Sequence, residues 1–146
     1  MAVQTIAIVI GISHYQQKGI PSLPAAERDA VNFARALRNW RISEENIFLL
    51  LNQDASKEIV DNFFTMLLAR EEHAKFIFYF CGHGHRTQGK MPRSFLMFSD
   101  TLLTSDHCLN AFSLDGLFER VAKMNMLESY LFILLRRKTR SFMTGM

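Results

Sequence analysis

The chain has 146 residues and a mass of 16.9 kDa, which suits a single domain. Apolar residues make up 49% and charged residues 21%, values that are typical of folded globular proteins and exclude a disordered chain. Four basic residues lie together at 136–140, and without them 13 Lys and Arg face 14 Asp and Glu, so the body of the chain has no basic field of the kind that nucleic-acid binding requires.

The N-terminal third predicts a strand followed by a helix. Residues 5–10 (TIAIVI) form a continuous apolar run that ends at Gly11, which is typical of a strand buried on both faces of a parallel sheet. A loop with Gly19, Pro21 and Pro24 follows. Beyond it, apolar residues recur at the spacing of one face of an amphipathic helix. This stripe consists of Ala30, Phe33, Ala34 and Leu37.

The next pair of elements repeats this order. Residues 46–51 (NIFLLL) predict a second strand. Ser56 is the expected N-cap of a second helix, because a serine side chain at that position accepts a hydrogen bond from an amide of the first turn. The stripe expected to face the core consists of Ile59, Phe63, Met66 and Leu67.

The second half predicts further strands and one more helix. Residues 75–80 (KFIFYF) predict a third strand, followed by a loop over residues 81–86, and residues 95–98 predict a short strand. Ser113 is the expected N-cap of a helix, and residues 129–135 (SYLFILL) predict the last strand. The apolar stripe of that helix consists of Leu114, Leu117, Phe118 and Val121.

Strands and helices that alternate in this way predict an α/β fold with a mostly parallel sheet flanked by helices. In such sheets a ligand binds beyond the carboxyl ends of the strands, at the point where the strand order reverses. The loops after the first and third strands, residues 11–24 and 81–86, are therefore the predicted rim of the functional site.

A histidine is the most reactive residue at this rim. His83 lies between Gly82 and Gly84, and glycines on both sides allow a sharp turn and the close approach of a substrate. Imidazole titrates near neutrality, so His83 is a candidate general acid and base. The amide of Gly84 is a candidate donor to an oxyanion. The spacing alone favours equally a histidine that is hydrogen-bonded within a tight turn.

A zinc site is a second hypothesis for the same segment. Thiol and imidazole groups are zinc ligands, and five of them lie in two clusters along the chain. They are Cys81, His83, His85, His107 and Cys108. Because their spacing is not one of the usual zinc patterns, neither a metal nor another cofactor is predicted.

The order of these motifs resembles that of the caspase-like cysteine peptidases, especially the metacaspase and bacterial branch. The similarity begins at residues 7–15 (AIVIGISHY), continues through residues 29–30 and 47–51, and is most specific at residues 78–84 (FYFCGHG). It extends in order over about the first 135 residues. The resemblance implies the caspase-like three-layer fold, incomplete at its C-terminal end.

The same resemblance implies roles for individual residues. His83 matches the catalytic histidine of the family, Gly84 a donor to the oxyanion, and Cys81 a position beside the substrate pocket. The reaction implied is peptide-bond hydrolysis through a thiol ester. Asp29 matches an acid that holds a Lys or Arg side chain of the substrate in metacaspase-like members, although Arg28 stands where Asn is usual. Taken alone, Asp29 is also an ordinary acid near a helix N-terminus.

The chain departs from the family at the nucleophile, which there follows the fourth main strand in an Asp-x-Cys motif. Residues 136–146 contain neither Asp nor Cys. We therefore expect a partial peptidase domain over residues 1–135, truncated before its catalytic cysteine, and a basic tail outside the fold. Cys81 and Cys108 are expected to be structural thiols, and the chain to be inactive. The alternative is a pseudopeptidase that binds peptides or partner proteins through the same rim.

The remaining expectations concern location and partners. The apolar run at residues 6–10 is too short for a membrane span or a signal peptide, and two cysteines fit a reducing compartment. We expect a cytoplasmic protein that acts on a peptide or protein substrate and binds neither nucleic acid nor membrane. Because the apolar strand at 129–135 lacks its next neighbour, we also expect self-association through that edge.

Overall fold

The computed structural model describes residues 3–70 and 73–136, and every statement below on the fold concerns these residues. Their strands and α-helices are β1 (Thr5–Gly11), α1 (Pro24–Asn39), β2 (Ile47–Leu51), α2 (Lys57–Leu68), β3 (Ala74–Gly82), β4 (Gly84–Arg86), β5 (Ser94–Leu103), β6 (Cys108–Ser113), α3 (Leu114–Lys123) and β7 (Met126–Leu135). None of these helices combines the length and the apolar character that crossing a membrane requires.

Four strands form a parallel sheet in the order β2-β1-β3-β7. Gly11, at the end of β1, lies opposite Leu51 of β2 on one side and Cys81 of β3 on the other. At the far side of β3, Gly82 lies opposite Leu135, the last residue of β7. This architecture is the predicted α/β fold. The strand order reverses between β1 and β3, so the carboxyl ends of these two strands form the switch point of the sheet.

A second, antiparallel sheet of β4, β5 and β6 follows directly from the end of β3. The predicted loop over residues 81–86 is wrong in this respect, because Cys81 and Gly82 finish β3 and residues 84–86 form β4. His83 is thus the single residue between two strands. The strand predicted at residues 95–98 lies in the first half of the ten-residue β5, and β6 was not predicted at all.

Helix α1 covers one face of the main sheet, with small residues along its buried side. These are Ala26, Ala30 and Ala34, with Leu37 at the end of the stripe. A Cβ at Gly11 would lie 2.4 Å from the Cβ of Ala30, so the glycine allows the helix to pack directly on the end of β1. Pro24 opens the helix at a position where no backbone donor is needed. The start of α1 is thereby held beside the switch point.

Helices α2 and α3 cover the opposite face, and both begin at the predicted caps. The Ser56 hydroxyl accepts from the Ile59 amide at 3.3 Å, and the Ser113 hydroxyl accepts from the Gly116 amide at 3.0 Å. The stripe predicted for α2 is confirmed only in part, because Leu67 is buried whereas Ile59 and Phe63 are partly buried against the core. The residues buried there are Val60, Phe64 and Leu67, whereas Met66 is 54% exposed. Phe64 takes the central place because its ring packs against the phenylalanines of β3.

Candidate active site

The loop after β1 folds over the end of β3, so the two segments predicted to form the rim lie together. The Ile12 amide donates to the Cys81 carbonyl at 3.0 Å and extends the contact between the strands past the end of β1. The Leu23 amide donates to the Ser13 carbonyl at 2.8 Å and closes the loop. Tyr15 and Pro21 of this loop both reach His83.

His83 is held with one ring nitrogen committed to a backbone carbonyl. Its Nε2 lies 2.8 Å from the carbonyl oxygen of Pro21, and the residue is 1% exposed. A carbonyl oxygen only accepts hydrogen bonds, so the proton of the neutral ring is on Nε2. Nδ1 is then the basic nitrogen. The contact with Pro21 thus fixes one tautomer and defines Nδ1 as the nitrogen that can take up a proton.

Tyr15 fixes the backbone of the same turn. Its hydroxyl accepts from the His83 amide at 2.7 Å and donates to the Met97 carbonyl at 3.3 Å, while the Met97 amide donates to the His83 carbonyl at 3.1 Å. The hydroxyl therefore bridges the His83 amide and the Met97 carbonyl, the two groups that would otherwise bond directly in the pairing of β5 with the turn. A Cβ at Gly82 would lie 2.7 Å from this oxygen, so glycine is required there. Burial raises the pKa of Tyr15 far above its usual value, which keeps the phenol protonated as a donor.

The direction of the Gly84 N–H follows from the hydrogen-bond pattern between β4 and β5. Gly84 lies opposite Leu96 in an antiparallel pair, one residue beyond the hydrogen-bonded pair of His83 and Met97. Because such pairs alternate, the N–H of Gly84 points away from β5. Leu135 occupies the space beside this glycine, and its Cδ1 would lie 2.7 Å from a Cβ added at residue 84.

Asp29 lies on α1 and forms an ion pair with the residue that follows β7. A carboxylate oxygen of Asp29 is 2.8 Å from the Arg136 guanidinium, and the Arg136 amide donates to the Gly82 carbonyl at 2.8 Å. Asp29 is therefore within the reach of one arginine side chain from the turn that holds His83.

The two cysteines differ in their surroundings. Cys81 is fully buried between the sheet and α1. Burial, and then the nearby Cys81, raises the pKa of Tyr79 to about 12. Cys108 packs against the cluster of Ile20, Met97 and Leu103, and burial raises the pKa of its thiol to about 11. At neutral pH Cys108 is a protonated, weakly nucleophilic thiol.

The five residues considered as zinc ligands are spread over separate places. His85 and His107 line a cleft of about 390 Å³ between β4 and the β5–β6 turn, whereas Cys81 lies beneath α1. Across residues 3–70 and 73–136 no three His, Cys, Asp or Glu side chains come together in a way that could hold a metal ion. Burial lowers the pKa of His85, whose Nδ1 has no hydrogen-bond partner within the same residues.

The contacts of Tyr15 and Pro21 with His83 were not anticipated from the sequence. Tyr15 belongs to the segment that carries the family resemblance, but its partner His83 is 68 residues away, and Pro21 is 62 residues from the same histidine. Contacts of this range leave no local pattern. The one available signal was the prediction that the two loops share a rim.

Comparison with known proteins gives three results. A sequence profile of the caspase domain matches residues 4–134. The fold is similar to that of protein GSU0716 from Geobacter sulfurreducens, with a TM-score of 0.67, 16% identity, and coverage of 89% of this chain and 48% of the other. It is also similar to pro-sf-caspase-1, with a TM-score of 0.63, 13% identity, and coverage of 94% and 53%. The chain thus spans about half the length of each structure. No curated protein sequence matches it.

Proposed function

Because this chain belongs to the caspase-domain family, we propose that it presents the histidine side of a cysteine endopeptidase site and, with the cysteines it has, does not itself cleave peptides. The observation that carries this proposal is the 2.8 Å contact between Nε2 of His83 and the Pro21 carbonyl. It leaves Nδ1 as the basic atom in the turn where the family's catalytic histidine is expected.

The proposed chemistry is proton transfer at Nδ1 of His83. Nδ1 takes the proton of a cysteine thiol as the sulfur bonds to the carbonyl carbon of the scissile peptide. The N–H of Gly84 donates to the oxyanion that forms. The C–N bond then breaks as Nδ1 returns the proton to the leaving amine, and water hydrolyses the thiol ester. Pro21 contributes by accepting from the Nε2–H of His83, which keeps the neutral imidazole in one tautomer and stabilises the imidazolium that forms when Nδ1 takes the proton.

Neither cysteine of the chain is proposed as the nucleophile. Cys81 is enclosed beneath α1, where we propose that it forms part of the wall beside the substrate pocket. Cys108 has a raised pKa, which opposes formation of a thiolate. Residues 136–146, which follow the fourth main strand, contain no cysteine. We therefore propose that the chain is inactive because it supplies no thiol that could react beside His83.

Asp29 is the proposed acceptor for a Lys or Arg side chain of the substrate. The support for this role is that a guanidinium already binds its carboxylate at 2.8 Å, on a segment whose backbone contacts Gly82. The substrate class is accordingly a peptide or protein with a basic residue before the scissile bond. We further propose a cytoplasmic location and a folded domain that ends near residue 135.

Restoring the thiol tests the proposed function. The double substitution Arg136→Asp/Lys138→Cys recreates the family's Asp-x-Cys motif after β7. We expect the double variant, and not the unmodified chain, to hydrolyse an acetylated tetrapeptide whose C-terminal Arg carries a fluorogenic amine. Activity should disappear on alkylation with iodoacetamide and when His83→Gln is added. Ser105→Cys, in the β5–β6 turn, is the control for a thiol placed elsewhere.

A non-enzymatic pseudopeptidase is the second candidate, and the burial of His83 favours it. A ring that is 1% exposed offers little surface for catalysis in this conformation. If the double variant binds the Arg peptide without cleaving it, the rim is a binding site, and the endopeptidase proposal fails. Cleavage that depends on both the new cysteine and His83 excludes the pseudopeptidase.

A further inference from the structure

The end of β7 crosses the rim that the proposed function assigns to the substrate. Residues 135 and 136 run past the turn at residues 82–84, with the Arg136 amide donating to the Gly82 carbonyl at 2.8 Å. Leu135 lies opposite Gly82 in the ladder, and its side chain fills the space beside Gly84. The strand end thus occupies the space beside Gly84, whose amide the proposed function assigns to the oxyanion.

The Arg136 side chain reaches the residue that is proposed to select the substrate. Its guanidinium lies 2.8 Å from the Asp29 carboxylate. The Arg136 side chain is 47% exposed and that of Asp29 29% exposed, so the pair is open to solvent at one side. An ion pair of this exposure is weak enough to be exchanged for another cation.

We propose that Leu135 and Arg136 act as an internal pseudosubstrate, in which Arg136 occupies the Asp29 site and Leu135 covers Gly84 until a peptide with a basic side chain displaces them. This inference rests on the proposed role of Asp29. The segment is tethered to the site, so it competes at a high effective concentration despite the weakness of the pair. The consequence is that the chain binds basic peptides less tightly than it would if Leu135 and Arg136 did not occupy the site.

The inference is tested by peptide binding, which needs no nucleophile. The probe is a fluorescein-labelled tetrapeptide amide that ends in Arg, and its control is the same peptide ending in citrulline, which has a similar shape and no charge. Fluorescence anisotropy gives the Kd of each peptide for the unmodified chain and for the variants Arg136→Gln, Arg136→Lys and Asp29→Asn. Arg38→Gln is the matched protein control, because Arg38 forms an exposed ion pair with Glu44 far from this site.

We expect Arg136→Gln to tighten binding of the Arg peptide by about twofold to fivefold, the range that an exposed ion pair of this kind supplies. Arg136→Lys retains the cation and should bind as the unmodified chain does. Arg38→Gln should also leave the Kd unchanged. Binding of the citrulline peptide should respond less than that of the Arg peptide to any of the substitutions.

Two results would overturn the inference, and they are distinguishable. If the Arg peptide is preferred over citrulline and Asp29→Asn removes the preference, but Arg136→Gln has no effect, Asp29 keeps its proposed role and the pseudosubstrate is wrong. If no variant prefers the Arg peptide, both the pseudosubstrate and the proposed role of Asp29 fail. Thermal unfolding of each variant confirms that the chains compared are folded.

Discussion

Strands β3 and β7 are neighbours with similar sequences and different surroundings. Both are apolar runs rich in aromatic residues, and they pair in parallel along the whole length of β7. Almost all of β3 is buried, because β1 and β7 flank it and helices cover both of its faces. On β7, Tyr130, Phe132 and Leu134 are each exposed by more than a third, and within the described residues nothing pairs with its outer edge.

This difference shows that an apolar run encodes a strand but does not by itself encode how completely that strand is buried. Continuous hydrophobicity predicts a strand in the interior of a parallel sheet. The run on β7 is also largely apolar, so its exposure follows from the lack, within the described residues, of a strand or helix that covers it. The end of β3 is held by Tyr15, whereas the end of β7 is held by the ion pair of Arg136. The substitutions below act on this contrast.

The largest expected effect is that of a phenylalanine deleted from β3. Phe78 is fully buried, with its ring centre 5.7 Å from that of Phe64, so Phe78→Ala leaves a cavity and should lower the free energy of unfolding by about 3–5 kcal/mol. Phe132→Ala is the matched change on β7, where the ring is 43% exposed and packs against Phe33 at 5.4 Å. It should cost about 1 kcal/mol, in proportion to the smaller area buried.

Urea unfolding at low protein concentration, monitored by circular dichroism, measures the change in the free energy of unfolding for both variants. Equal costs for Phe78→Ala and Phe132→Ala would contradict the comparison. They would mean that β7 is covered in solution by something that buries it as completely as β3.

Tyr15→Phe removes the hydroxyl that anchors the end of β3. The His83 amide and the Met97 carbonyl then lose their shared partner in a buried place, which should cost about 1–3 kcal/mol. Tyr130→Phe is the control on β7, because the Tyr130 hydroxyl bonds only to the exposed Glu128 and its loss should be near zero. The measurement is again the free energy of unfolding. A cost for Tyr130→Phe as large as that for Tyr15→Phe would show that the hydroxyl bridge is not an anchor.

The sequence predicted the parts of the fold that have a local cause. The four strands of the main sheet follow from their apolar runs, and Ser56 and Ser113 were identified as caps because the residue type and its position determine that bond. The missed strand, β6, is half polar and is held by pairing with β5 and by the Thr101 hydroxyl, which donates to the Asn110 carbonyl at 2.6 Å. Neither contact has a signal within β6 itself.

In the candidate site, too, the features with a local cause were predicted and those that depend on distant residues were not. His83 and its glycines are consecutive and were recognised as a rim motif, whereas the tautomer of His83 depends on Pro21 in a distant loop. The pairing of Asp29 with Arg136 joins residues 107 positions apart. The fully buried positions Val60 and Phe64 of α2 were missed because apolar residues occupy two adjacent stripes of that helix, and only the fit of Phe64 against β3 selects between them.

A smaller effect on the free energy of unfolding is expected at the ion pair that links α2, which covers β3, to α3, which leads into β7. Asp61 of α2 accepts from Lys57 at 2.6 Å and from Arg120 of α3 at 2.7 Å. Burial alone raises the pKa of Asp61, but the hydrogen bonds from Lys57 and Arg120 outweigh it, and the pKa lies below its usual value. The ionised Asp61 carboxylate therefore stabilises the fold at pH values above its unfolded-state pKa of about 4. This contribution is lost as the pH falls through the lower, folded-state pKa.

Asp61→Asn should accordingly lower the free energy of unfolding by about 1 kcal/mol at pH 7. The difference from the unmodified chain should shrink as the pH falls below about 4, where the unmodified carboxylate also becomes neutral. Urea unfolding at pH 7, 5 and 3 measures the difference. Asp106→Asn, in the exposed β5–β6 turn, is the control. A deficit that stays constant down to pH 3 would assign the effect to lost packing instead of lost charge.

The last prediction concerns association, with little expected change in the stability of the monomer. An apolar strand of ten residues whose outer edge is unpaired within the described residues pairs readily with another chain, and lysine on such an edge opposes that pairing. We expect the unmodified chain to associate through β7, and Phe132→Lys to shift it towards the monomer in sedimentation velocity. Phe118→Lys on α3 is the matched control, since Phe118 is similarly exposed and lies off the sheet edge. If both lysines reduce association equally, general surface hydrophobicity is the cause. If only Phe132→Lys acts, the unpaired edge of β7 is the surface that distinguishes it from β3.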